Sequence, residues 1–170
     1  TNRGLNWKEV SSSPFTTRGN SVAWNENMFV AVGQSGSSGA IAYSYNGINW
    51  TSVSSPFTTI GKGVCWSIDR WLAFGGSTNT IAYSYDGISW TGVANSTSTF
   101  TSNGKSAANN AGVGNVIINH PLVCLGVSLS SSNNTISYSE DGFNWVPLGN
   151  SIFSTAGLCA CWNGLRWVAG

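Results

Sequence analysis

The stretch Tyr83-Ser84-Tyr85-Asp86-Gly87-Ile88-Ser89-Trp90 decides how this chain is read, because it recurs. The same ending closes Ser44-Tyr45-Asn46-Gly47-Ile48-Asn49-Trp50 and Ser139-Glu140-Asp141-Gly142-Phe143-Asn144-Trp145, and a degenerate copy, Arg3-Gly4-Leu5-Asn6-Trp7, stands at the start. An Asp-Gly or Asn-Gly pair between strand-forming residues signals a hairpin, since a type I′ turn needs positive φ at both central positions. The sequence therefore predicts tight turns at Asn46-Gly47, Asp86-Gly87 and Asp141-Gly142. Ser44, Ser84 and Ser139 are placed to bond the turn backbone, and Trp50, Trp90 and Trp145 to fold over it. These residues are read as a structural hairpin motif, not a ligand site.

A second marker falls between the copies of the first. It reads Phe15-Thr16-Thr17-Arg18-Gly19, Phe57-Thr58-Thr59-Ile60-Gly61, Phe100-Thr101-Ser102-Asn103-Gly104 and Phe153-Ser154-Thr155-Ala156-Gly157. Two interleaved markers at a period of roughly 40 residues are the mark of a repeat architecture. The best-formed unit resolves into four short β-rich runs, Gly63 to Trp66, Arg70 to Phe74, Thr80 to Tyr85 and Ile88 to Val93, with no helical period. The expected fold is all-β: tandem four-stranded antiparallel units, read as β-propeller blades, about three complete and a fourth split. One repeat domain over 1–170 divides into units near 8–50, 51–90 and 91–145, with a partial unit at 146–170. The third unit carries an insertion over Asn109 to Pro121, which maps to a loop.

The stretch Tyr83 to Trp90 resembles the Asp-box of sialidase-type (BNR) propellers, with one residue fewer between Asp and Gly, and lies within a longer run from Trp71 to Trp90. That run is similar to repeat proteins of large DNA viruses, phages and bacterial surfaces. The resemblance covers nearly the whole chain. It implies a propeller whose boxes are folding elements at the blade periphery, and a place on a virion or cell surface.

Composition agrees with a folded, electrically quiet protein. Of 170 residues, 41% are hydrophobic and only 8% charged, with net charge +1, so much of the polar surface must be Ser, Thr, Asn and Gly. The basic residues Arg3, Lys8, Arg18, Lys62, Arg70, Lys105 and Arg166 are scattered in sequence, which argues against a nucleic-acid partner. No apolar run is long enough for a membrane span. A start at Thr1 fits a processed product, an excised fragment or an incompletely determined chain. The preferred expectation is a segment of a longer repeat array, with completion by a second subunit as the alternative.

Catalytic groups are sparse. A sialidase-like site needs clustered arginines, a Tyr-Glu pair and an acid/base Asp. Here Asp86 and Asp141 sit in turns, Glu140 lies beside Asp141, Glu26 and Asp69 sit in short turns, and Glu9 is alone. His120 has no companion ligand, and no serine lies in a nucleophile elbow. Cys65 and Cys161 take the column of Ala23, and Cys124 is aligned with Ala31 and Ala73, which reads as small buried thiols; Cys159 lies too close to Cys161 for an ordinary bridge. Asn49, Asn95 and Asn133 match the glycosylation sequon, at the frequency expected by chance in so Asn/Ser/Thr-rich a chain. No catalytic residue, metal or cofactor is expected. The leading expectation is a non-catalytic scaffold or interaction module with protein partners or self-association. A neutral-glycan-binding propeller is the alternative, and a sialidase-like fragment the remote one.

Overall fold

A computed structural model describes residues 7, 9–67, 69–109, 124–129, 134–163 and 166–170. The chain is all-β with antiparallel sheets. Strands β1 (Arg18–Trp24), β2 (Phe29–Ser35), β3 (Ser38–Ser44) and β4 (Thr51–Val53) form a four-stranded meander in that order. Strands β5 (Ile60–Ser67), β6 (Arg70–Gly76), β7 (Ile81–Ser84) and β8 (Thr91–Gly92) pair the same way. A single helical turn, α1 (Ser96–Thr99), leads to β9 (Asn103–Asn109), β10 (Cys124–Leu129), β11 (Ile136–Ser139) and β12 (Trp145–Pro147). One pairing, Gly76 with Asn103, joins these last two meanders into an eight-stranded sheet curled as a half-barrel. A two-stranded piece, β13 (Ala160–Trp162) with β14 (Trp167–Ala169), follows.

Hydrogen bonding carries each unit past the motif tryptophan, since β4 pairs β3, β8 pairs β7 and β12 pairs β11. The paired units therefore run 18–53, 60–92 and 103–147. Register keeps the repeats in step: Phe29 lies opposite Ser44, Trp71 opposite Ser84 and Cys124 opposite Ser139. This corrects the alignment of Cys124 with Ala31 and Ala73. Gly126, opposite Ser137, holds that column, as Ala31 does opposite Ala42 and Ala73 opposite Ala82. The link between second and third strands differs in length from unit to unit, so spacing from the serine does not fix the column.

Alternate residues of a strand face opposite sides of its sheet, and here both sides are used. The first strand of each unit packs on the unit before it: β5 on β1 and β2, β9 on β5 and β6, β13 on β9 and β10. Three apolar seams result. Met28, Val30, Val32 and Ile41 meet Phe57, Val64, Trp71 and Ala73. Leu72, Phe74 and Ile81 meet Phe100, Ala107 and Trp145, and Val127 and Ile136 meet Phe153, Ala160 and Trp167. The second sequence marker makes these seams. Phe57 and Phe100 are buried, and the glycine four residues on sits where two units touch. A Cβ on Gly61 would stand 2.8 Å from Val32 Cβ, and one on Gly157 2.9 Å from Val127 Cβ.

Candidate functional site

The motif residues close on themselves. In the second copy the Asp86 carboxylate accepts hydrogen bonds from the Ser84 hydroxyl (2.9 Å), Ile88 N–H (2.8 Å) and Ser89 N–H (2.7 Å). Ser84 Oγ accepts from Gly87 N–H (2.8 Å), and the Trp90 indole N–H donates to the Gly87 carbonyl (3.1 Å). The third copy repeats this through Ser139, Asp141, Gly142 and Trp145, and Asn144 adds a side-chain bond to Asp141. The first does so with Asn46 in place of aspartate, beside Ser44, Gly47 and Trp50.

The turn itself is not type I′. Only Gly47 (φ 71°), Gly87 (75°) and Gly142 (77°) take positive φ in the three copies. The Asn or Asp instead keeps an ordinary φ and caps the following N–H groups with its side chain, an Asx-type loop that spans to the tryptophan. Ile88 to Trp90 accordingly belong to this loop and not to a strand.

These hydrogen bonds set the electrostatics. The N–H of Ser89 is the main influence that holds Asp86 down at about 2, against some opposing burial and with help from Ile88 and Ser84. At Asp141 burial acts upward, and the N–H groups of Asn144 and Phe143 with the Asn144 and Ser139 side chains outweigh it, again to about 2. Both carboxylates stay ionised and fully engaged.

The second and third motif loops are also joints between units. Gly87 lies on Met28 and Val30 of the first meander, and Gly142 on Leu72 of the second. Arg70 strengthens the second joint. It grips Asp69 through two 2.8 Å bonds, donates to the Asp141 carbonyl at 3.2 Å, and lies 4.5 Å from the Phe143 ring centre and 5.3 Å from that of Tyr85. Tyr83 meets Phe143 edge-on at 4.7 Å. In the first meander Met28 holds the place of Arg70.

Basic residues that look scattered in sequence converge in space. Lys62 and Lys105 hold one bulged column of successive first strands, β5 and β9, which pack on each other. Burial first, then the charges of Lys105 and Arg18, push the Lys62 ammonium below its ordinary lysine value. The pairs Gly61-Lys62 and Gly104-Lys105, each at the end of the Phe-x-x-x-Gly marker, are the signal by which sequence could have found them.

A groove of about 310 Å³ lies beside α1, lined by Asn95, Ser98, Thr99 and Asn144 with Phe143 and Trp145. Cys65 is half-buried, whereas Cys159 and Cys161 are exposed thiols, contrary to the expectation of burial. Asn49 and Asn95 are exposed. Residues 3–6 of the degenerate motif copy, residues 110–121 of the insertion with His120, and Asn133 lie outside the described residues. Among the described residues no helix is long and apolar enough to cross a membrane. No protein-family model and no curated protein matches the chain.

Proposed function

We propose that the meanders are blades of a β-propeller that serves as a non-catalytic scaffold or protein-interaction module. The observation that carries this reading is the joint made by the second and third motif copies. The Asx loop of one meander docks on the second strand of the meander before it, at Gly87 and again at Gly142, beside an apolar seam that also repeats. Polar atoms that could serve chemistry are used in that joint: the Asp86 and Asp141 carboxylates hold backbone N–H groups, and Arg70 holds Asp69 and Asp141. Among the described residues Val22 is 58% and Trp24 44% exposed in the first meander, and Val168 56% exposed in β14. Such surfaces suit a protein partner or a second copy of the chain.

Electron microscopy of the purified protein together with a glycoside turnover panel tests the reading. Radially arranged blades and no turnover are the expected results. Extended sheets without radial order would refute the propeller, and saturable glycoside hydrolysis the non-catalytic role.

A second reading, a neutral-glycan-binding module, is favoured by the groove beside α1. There Asn and Ser/Thr groups flank the Phe143 and Trp145 rings, a combination suited to an uncharged sugar. A glycan array is expected to give neutral-sugar signals that Asn144→Ala weakens. A blank array disposes of this reading.

A further inference from the structure

We propose that Lys62 and Lys105, with Arg18 beside them, form a binding site for a tetrahedral oxyanion, a sulfate or phosphate group. The site is built by three bulges at one column of the repeat. The pairing of β1 with β2 slips between Gly19 and Ser21 and leaves Asn20 as the extra residue. The pairing of β5 with β6 slips between Gly61 and Gly63 and leaves Lys62. That of β9 with β10 slips between Gly104 and Ser106 and leaves Lys105. A bulge frees one residue from the ladder and re-aims its side chain.

The bulged strands are neighbours. Asn20 Nδ2 donates to the Gly61 carbonyl at 2.6 Å, and a Cβ on Gly63 would stand 2.6 Å from the Lys105 carbonyl. The re-aimed side chains of Lys62 and Lys105 therefore share one side of consecutive strands. Arg18 enters from β1, held by the Gln34 side-chain carbonyl at 3.1 Å.

Two ammonium groups carried on neighbouring bulges repel each other, and an anion between them relieves that repulsion and accepts from the three donors that each carries. Among the described residues the ion pair of Arg70 with Asp69 is the one salt bridge, so no carboxylate of those residues neutralises the lysines. A tetrahedral oxyanion offers acceptors in several directions at once and so can bridge both ammoniums and the guanidinium.

The test is a calorimetric titration of the intact chain with sodium sulfate, and separately with a sulfated hexasaccharide, at constant chloride. In parallel, ¹⁵N signals of the lysine side chains are followed. Saturable binding that shifts the Lys62 and Lys105 signals is expected. Affinity should fall at least about tenfold in Lys62→Gln/Lys105→Gln and stay unchanged in Arg166→Gln, as loss of charge-assisted bonds requires. Binding of both probes marks a site open to free ions, and binding of the saccharide alone marks a sugar-borne sulfate; either supports the site. No saturation by either probe, or binding that survives the double substitution, overturns it. The wild-type side-chain signals decide the matter even if the double variant fails to fold.

Discussion

Val22 and Val64 occupy the same column of successive first strands, one opposite Ala31 and the other opposite Ala73, yet Val22 is 58% exposed and Val64 only 7%. The marker phenylalanines differ in the same sense: Phe57 and Phe100 are buried, Phe15 and Phe153 half-buried. Local sequence is alike in each pair, and the difference lies in the neighbour. Phe57 and Val64 have the first meander's Val30, Val32 and Ile41 against them, whereas among the described residues Val22 has no equivalent sheet. Burial in this chain is thus a property of the seam between units, as expected where stability is a sum of repeat and nearest-neighbour contributions.

The largest expected effect breaks that comparison at the phenylalanines. Phe57→Ala or Phe100→Ala should cost about 3–5 kcal/mol, the range for emptying a buried aromatic site. Phe15→Ala should cost clearly less, because its ring already meets solvent. Urea melts of the three variants measure it, and equal losses would mean that the seams are not where the stability resides.

A smaller effect sharpens the picture at the marker glycines. Gly61→Ala forces a methyl group to within 2.8 Å of Val32 Cβ and should cost about 1–3 kcal/mol by overpacking. Gly19→Ala meets only the Phe15 ring edge at 3.3 Å and should fall within about 0.5 kcal/mol of the parent. The motif joints come next. Arg70→Met installs the residue that the first meander uses at this place, Met28, and removes the bond to Asp141 and the stacking on Phe143. A loss of about 1 kcal/mol is expected, read from the same melts.

The comparison also marks what sequence could and could not reveal. Strand class and repeat period were legible because the markers recur, and the roles of Ser84, Asp86, Gly87 and Trp90 as a folding element followed from their chemistry. The turn type was misjudged. The Asp-Gly pair alone suggests a two-residue I′ turn, but three N–H and O–H donors gathered on the Asp86 side chain make a wider loop that leaves only the glycine at positive φ. The column of Cys124 was misjudged because the link between second and third strands varies in length. Exposure of Cys161 could not be read from its likeness to Cys65, since both follow the same local pattern and only the adjacent sheet differs. Convergence of Lys62 and Lys105 depends on bulges, which are tertiary features with no signal stronger than the repeated Gly-Lys pair.

The smallest expected effect compares the motif copies themselves, since Asp86 and Asp141 titrate and Asn46 does not. Both carboxylates titrate near 2 in the folded chain, below the ordinary aspartate value of 3.8. The stability they contribute is therefore complete above about pH 4 and is lost as pH falls toward 2. Asp86→Asn with Asp141→Asn should flatten that acid limb of the stability profile while leaving the limb above pH 5 parallel to the parent. The converse substitution, Asn46→Asp, places a charge where Ile48 and Asn49 N–H groups already point at 2.9 Å. It should raise stability at neutral pH by a few tenths of a kcal/mol, a figure kept small because the site faces solvent, and add a third acid-sensitive step. Acid melts of these variants check both directions. If Asn46→Asp gained nothing while the double asparagine variant still flattened the limb, the first loop would differ from its sisters in geometry as well as in charge.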